Sequence, residues 1–175
     1  MRSPTFHILA GFCSWILVLF CVELNAQECD IKNSVMPDGS MWYRVEEKDF
    51  YITSEKKLRG GILTDGDRYY LYLKPFPLIP KSKKKDLRAD AVLQLTNGAS
   101  FHLKNIDAQF QADTAVIVLY LIEESQLEPF RDYPVQSATL PGADGKPVDY
   151  NFVLHKETLR EQLACFIENR KKKKH

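Results

Sequence analysis

Apolar and polar residues alternate along much of this chain, and the breaks in that alternation mark its elements. Met41 to Val45 and Phe50 to Thr53 are short runs of aromatic and branched residues that predict strands. Gly60 to Leu63 and Arg68 to Lys74 flank Asp65-Gly66, a dipeptide suited to a tight hairpin turn. Pro75-Phe-Pro-Leu-Ile-Pro80 lacks too many amide donors to continue a ladder, so it should end the second of these strands. Lys81 to Arg88 follows as a strongly basic loop within one domain; the alternative is a boundary between two subdomains.

Asn97-Gly98 is the sharpest local signal. Read as a two-residue turn between Asp90–Thr96 and Ala99–Asn105, it pairs Thr96 with Ala99 and Gln94 with Phe101. Val92, Gln94, Phe101 and Leu103 then share one face; Leu93, Leu95, Ser100, His102 and Lys104 share the other. Neither face is purely apolar, which suits a hairpin towards a sheet edge. Ala115 to Ile122 is apolar throughout and predicts a central strand covered on both sides.

Helices come late. Ser125 and Glu128 fit a capping box that opens a short helix near 125–132, with Pro129 tolerated in its first turn and Pro134 ending it. Val135 to Leu140 and Tyr150 to Leu154 read as strands. Leu159, Leu163, Phe166 and Ile167 form an apolar stripe along a final helix from about Lys156 to Glu168. The fold class expected is α+β: a mostly antiparallel sheet, the short helix, and a C-terminal helix packed on the sheet.

The amino-terminal 26 residues change the picture. Arg2 precedes an apolar run from Phe6 to Val22, and Ala26 stands before Gln27 as a leader peptidase requires. Residues 1–26 therefore read as a secretory signal, with an uncleaved membrane anchor as the rival. The expected location is periplasmic or secreted. Residues 27–169 form the domain, at a length that buries enough surface to fold alone. Residues 170–175 form a basic tail.

Export gives the cysteines a meaning. Cys13 and Cys21 leave with the leader, and Cys29 and Cys165 remain, one near each end. In an oxidising compartment that pair predicts a disulfide. Two buried free thiols, or a nucleophilic Cys165 partnered by His155, are the alternatives. Two isolated thiols make a poor zinc site, which needs four ligands at short spacings.

The chain carries a formal charge of +1. Arg170 to Lys174 supply five positive charges, leaving a mildly acidic body. That distribution argues against a nucleic-acid-binding face. The tail reads as a solvated, frayed terminus; the alternative is contact with an anionic membrane or polymer through that tail alone.

Catalytic spacings are missing: no nucleophile elbow, zinc helix, phosphate-cradling glycine loop or calcium loop appears. No catalytic, metal or cofactor residue is assigned, and no cofactor is expected. His102 reads as a partly buried structural imidazole beside Leu93, and His155 as a helix-boundary residue. Asp65, Asp67, Glu123 and Glu124 read as turn or solvated carboxylates. Tyr69, Tyr70 and Tyr72, with Trp42, Tyr43, Phe50 and Tyr51 in neighbouring strands, offer one binding candidate, an aromatic platform for sugars or peptides. These features favour a non-catalytic exported protein that binds an unidentified protein or glycan partner or supports an envelope assembly. The alternatives are a small secreted hydrolase and a carbohydrate- or peptide-binding module.

Overall fold

A computed structural model describes residues 29–35, 39–77, 79–80, 90–111, 114–142 and 146–172. The leader, the loop from Lys81 to Arg88 and the end of the tail lie outside the described residues. Among the described residues, twelve strands and two helices follow in chain order. The strands are β1 (Lys32–Val35), β2 (Met41–Arg44), β3 (Lys48–Ile52), β4 (Lys57–Thr64), β5 (Tyr69–Phe76), β6 (Ile79–Pro80), β7 (Ala91–Leu95), β8 (Ser100–Leu103), β9 (Asn105–Gln111), β10 (Thr114–Ile122), β11 (Val135–Pro141) and β12 (Pro147–Asn151). The helices are α1 (Glu124–Asp132) and α2 (Thr158–Lys172).

All described pairings are antiparallel and fall into two sheets. In the larger, β1, β2, β4, β5 and β10 are successive neighbours. The pairing along β4 is interrupted: β3 holds Lys57 to Gly60, whereas β2 holds Leu63 and Thr64. Both run antiparallel to β4, so together they behave as one strand broken at Val45 to Glu47. The smaller sheet has the order β12-β11-β7-β8.

The β5 run is apolar on both faces because both faces are covered. Leu71 and Leu73 enter the main core, while Tyr70 and Tyr72 join Leu119 in a second cluster behind the sheet. Likewise β10 sends Val118, Tyr120 and Ile122 to the main core and Leu119 to the other side. The main core also gathers Leu93, Leu95 and Leu140 from the smaller sheet, Phe130 from α1, and Leu159, Leu163 and Phe166 from α2. Phe50 and Phe152 stack at 4.5 Å, and the Phe50 carbonyl accepts from the Val153 and Leu154 amides, so the two sheets are joined beside β3.

The α+β architecture with an antiparallel sheet and a C-terminal helix agrees with the sequence pattern; several local details differ. The 95–99 connection is a three-residue loop, not a two-residue turn. Leu95 N–H donates to the Ala99 carbonyl at 2.8 Å, and Gly98 occupies the left-handed region at φ +85°. Leu93 therefore opposes Phe101 and Val92 opposes His102. This one-residue shift moves every β8 side chain to the other face. Leu93, Leu95, Phe101 and Leu103 now lie on the core side, and His102 is exposed rather than partly buried. The hairpin does supply an edge, since β8 ends the smaller sheet.

The α1 cap sits two residues earlier than the Ser125–Glu128 pattern suggests. Gln126 Oε1 accepts from the Glu123 amide at 2.9 Å, and Gln126 N–H donates to the Glu123 carbonyl at 2.9 Å. At the other end of the chain, α2 starts at Thr158, after a turn in which His155 takes a positive φ of 47° and its carbonyl accepts from the Thr158 amide at 3.0 Å. It then runs through Lys172, so the first basic residues of the tail are helical. The β5 strand also continues past Pro75 to Phe76.

Candidate functional site

Cross-strand register builds one row of side chains across four strands. Asn33 pairs with Tyr43, Tyr43 with Thr64, and Thr64 with Tyr69. Residues directly opposite in a pleated sheet point to the same face. The row is therefore a continuous floor, polar at its β1 end and aromatic at Tyr43 and Tyr69. Over it lies α2, whose Phe166, Asn169 and Arg170 fall at i, i+3 and i+4 and so share one helical face. Floor and helix enclose a cleft of about 500 Å³, completed by Ile31 and Gly66.

A covalent link joins the segment before β1 to α2. Cys29 and Cys165 are joined by a disulfide with a Cα–Cα distance of 5.9 Å. Ile31 and Asn33 follow Cys29 closely, and Phe166 follows Cys165. The cross-link thus ties the β1 wall to the helical wall. Asn169 reinforces the helical side, its Nδ2 donating to the Cys165 carbonyl at 3.0 Å.

The cleft walls are mainly apolar. Tyr69 and Phe166 face each other at 6.5 Å between ring centroids, and both rings are buried. Polar atoms collect at the mouth. Arg170 Nη2 lies 3.8 Å from Asp67 Oδ1, a loose pair whose aspartate side chain is 91% exposed. Thr64 Oγ1 donates to the Arg68 carbonyl at 2.8 Å and accepts from Gly66 N–H at 3.0 Å, which shapes the β4–β5 turn beneath.

Asp65 organises that turn. Its Oδ1 accepts from the Asp67 and Arg68 amides, and its Oδ2 accepts from the Tyr70 hydroxyl at 2.8 Å and from the Arg68 guanidinium. Burial pushes the Asp65 pKa up, but these donors outweigh it and hold the carboxyl below its ordinary value. Tyr70 moves the other way, to about 12, through burial and through the hydrogen bond and charge of Asp65. The expectation of turn chemistry at Asp65 is met.

The aromatic platform is not. Tyr69, Tyr70 and Tyr72 are 6%, 2% and 5% exposed, so they offer no open stacking surface. The alternation of β5 sends Tyr69 to the main core side, where its edge borders the cleft. Tyr70 and Tyr72 go behind the sheet, with Trp42 stacked on Tyr70 at 4.9 Å.

His102 and His155 are both exposed. Among the described residues, no group of three or more His, Cys, Asp or Glu side chains is placed to hold a metal ion. No helix among them is long and apolar enough to cross a membrane. The sequence pattern did not mark Asn33, Thr64, Phe166 or Asn169 as site residues. Tyr43 appeared only as one member of an aromatic cluster, and Arg170 only as part of the tail. The i, i+3, i+4 spacing of Phe166, Asn169 and Arg170 was the readable signal; the strand row depends on register.

No family model matches the chain, and no curated protein matches it. Among solved structures, it is similar to the crystal structure of invasion associated protein B from Bartonella henselae, at 12% identity and a TM-score of 0.43. The alignment covers 82% of this chain and 95% of that one. A likeness of that degree carries no argument about role.

Proposed function

We propose that this protein is an exported, non-catalytic binding or envelope-assembly component that engages its ligand in the cleft between the β1–β5 floor and α2. The cleft carries the reading. It has the size range of small-molecule sites and the mixture they use, apolar walls with a few polar groups at the mouth. The disulfide supports export, because such bonds persist where the surroundings are oxidising. The leader pattern at Arg2 to Ala26 supports the same location. A hydrolase reading has less behind it, since His102 and His155 are exposed and lie outside the cleft lining.

Two measurements test the proposal. Expression of the full chain, followed by fractionation and intact mass, should give an extracytoplasmic protein beginning near Gln27 with no free thiol at Cys29 or Cys165. Intact cytosolic protein retaining Met1 would refute export. A fragment screen read by backbone amide shifts should move Ile31, Asn33, Thr64 and Phe166 together. Hits that leave these residues unmoved would remove the cleft from consideration.

A further inference from the structure

We propose that the cleft recognises a small aromatic carboxylate, with its ring beside the half-buried Tyr43 and the bordering edges of Tyr69 and Phe166 and its carboxylate on Arg170; the inference rests on the cleft reading above. Apolar walls of this kind favour a flat ring, because aromatic pairs gain more than their buried area when offset or edge-on. Electrostatics then select the other end of the ligand.

Among the described residues of the cleft lining, Arg170 is the cationic side chain, and its described partner is a poor competitor. Asp67 sits at 3.8 Å with its side chain almost fully in water, where ion pairs contribute little. Asp65, in the same turn as Asp67, is already engaged: it accepts from two amides, a guanidinium and the Tyr70 hydroxyl. A guanidinium presents a planar fork that matches a carboxylate in two parallel hydrogen bonds. Asn169 also lines the cleft, but its Nδ2 is held by the Cys165 carbonyl, so Arg170 carries the recognition of the anion. Charge and shape therefore agree on one occupant, an aryl acid of low mass with its anion at the helical rim.

Isothermal titration and amide-shift mapping with 4-phenylbutyrate, 4-phenylbutyramide, acetate and a tripeptide ending in phenylalanine separate the outcomes. Expected are shifts at Ile31, Asn33, Thr64, Phe166 and Asn169 with phenylbutyrate, and binding at least about tenfold weaker for the neutral amide and for acetate. Arg170→Gln should weaken phenylbutyrate by about the same factor and leave the amide unaffected, while Arg170→Lys should recover part of the loss. Equal binding of acid and amide to the cleft would overturn the anion assignment and leave the cleft reading standing. Absence of cleft shifts with every probe would overturn both. A tripeptide that binds more tightly than the free acid would overturn the small-molecule assignment in favour of a peptide C-terminus.

Discussion

Gln162 and Ile62, one hundred residues apart, are joined by a buried hydrogen bond of 2.7 Å from the Ile62 amide to Gln162 Oε1. The bond sits where β4, paired with β5 on its other edge, has no strand partner on its β2/β3 edge, between the Lys48–Gly60 pair of β3 and the Arg44–Leu63 pair of β2. Gln162 Nε2 turns the other way and donates to the Glu46 carbonyl at 2.7 Å, in the segment that separates β2 from β3. A helical side chain thus repairs the gap in the sheet and fixes α2 over the floor of the cleft.

Gln162→Leu should destabilise the protein by about 1–3 kcal/mol, the cost of leaving a buried amide unpaired. Urea titration reads this as a lower midpoint at unchanged slope. A midpoint equal to that of the parent would mean that the Ile62 amide finds another acceptor.

Gly61 makes this bridge sterically feasible. A Cβ at that position would lie 2.8 Å from Gln162 Oε1 and 3.1 Å from the Tyr72 ring. Gly61→Ala should cost about 1–3 kcal/mol through overpacking. In the Gly61→Ala, Gln162→Ala double mutant the two penalties should sum to less than their separate values, because part of the clash leaves with the amide. Strict additivity would show that Tyr72, not Gln162, receives the strain.

How far these relationships are readable from the sequence depends on their range. The α2 stripe, the apolar β10 run and the Asp65 turn follow from local periodicity and turn chemistry, and all are present. Local signals also misled where two solutions differ by one residue. Asn97-Gly98 fits both a two-residue and a three-residue loop, and the choice decides whether His102 faces core or solvent. The β9 strand was legible in the alternation of Ile106, Ala108 and Phe110 with Asp107, Gln109 and Gln111, but went unmarked. The cleft floor was not legible, because Asn33, Tyr43, Thr64 and Tyr69 meet only through three separate strand registers.

The hairpin correction has its own test. With His102 exposed, His102→Ala should change stability by less than about 0.5 kcal/mol. Gly98→Ala should cost about 1–2 kcal/mol, since an alanine at φ +85° is strained. A large loss at His102 would restore the two-residue turn; Gly98→Ala is costly in both loops, and a neutral result there would contradict the positive φ at Gly98.

Asp65 and Tyr70 give stability a dependence at both ends of the pH range. The Asp65 carboxyl is held below its ordinary value in the fold, so its contribution is present above the unfolded pKa of about 3.9 and is lost as pH falls through the lower native value. Burial and the Asp65 carboxylate push the Tyr70 pKa up to about 12 in the fold, from an ordinary tyrosine value of 10.0. Its contribution is present below pH 10.0 and is lost as pH rises towards about 12. Asp65→Asn should remove the acid-side dependence and lower the Tyr70 pKa, because both the charge and the strong acceptor are gone. Tyrosinate absorbance during alkaline titration follows the second effect. An unchanged tyrosine titration in the variant would show that burial alone raises Tyr70.

Cross-linking should matter for the cleft as well as for the fold. The disulfide closes a sequence separation of 136 residues, for which the chain-entropy model gives about 4–5 kcal/mol. Replacing both cysteines by serine should therefore lower the urea midpoint strongly. The local effect is distinct, because the short β1 is exposed along its length and pairs with β2 as its one described strand neighbour. Once released from α2, residues 31–35 keep that hairpin but lose their tether to Phe166 and Asn169. Hydrogen exchange in the serine variant, measured where it remains folded, should accelerate at Ile31 and Asn33 more than at Leu71 or Val118, which lie on the deeply buried β5 and β10 strands. Uniform acceleration across all four positions would mean that the cross-link stabilises the domain globally without shaping the cleft.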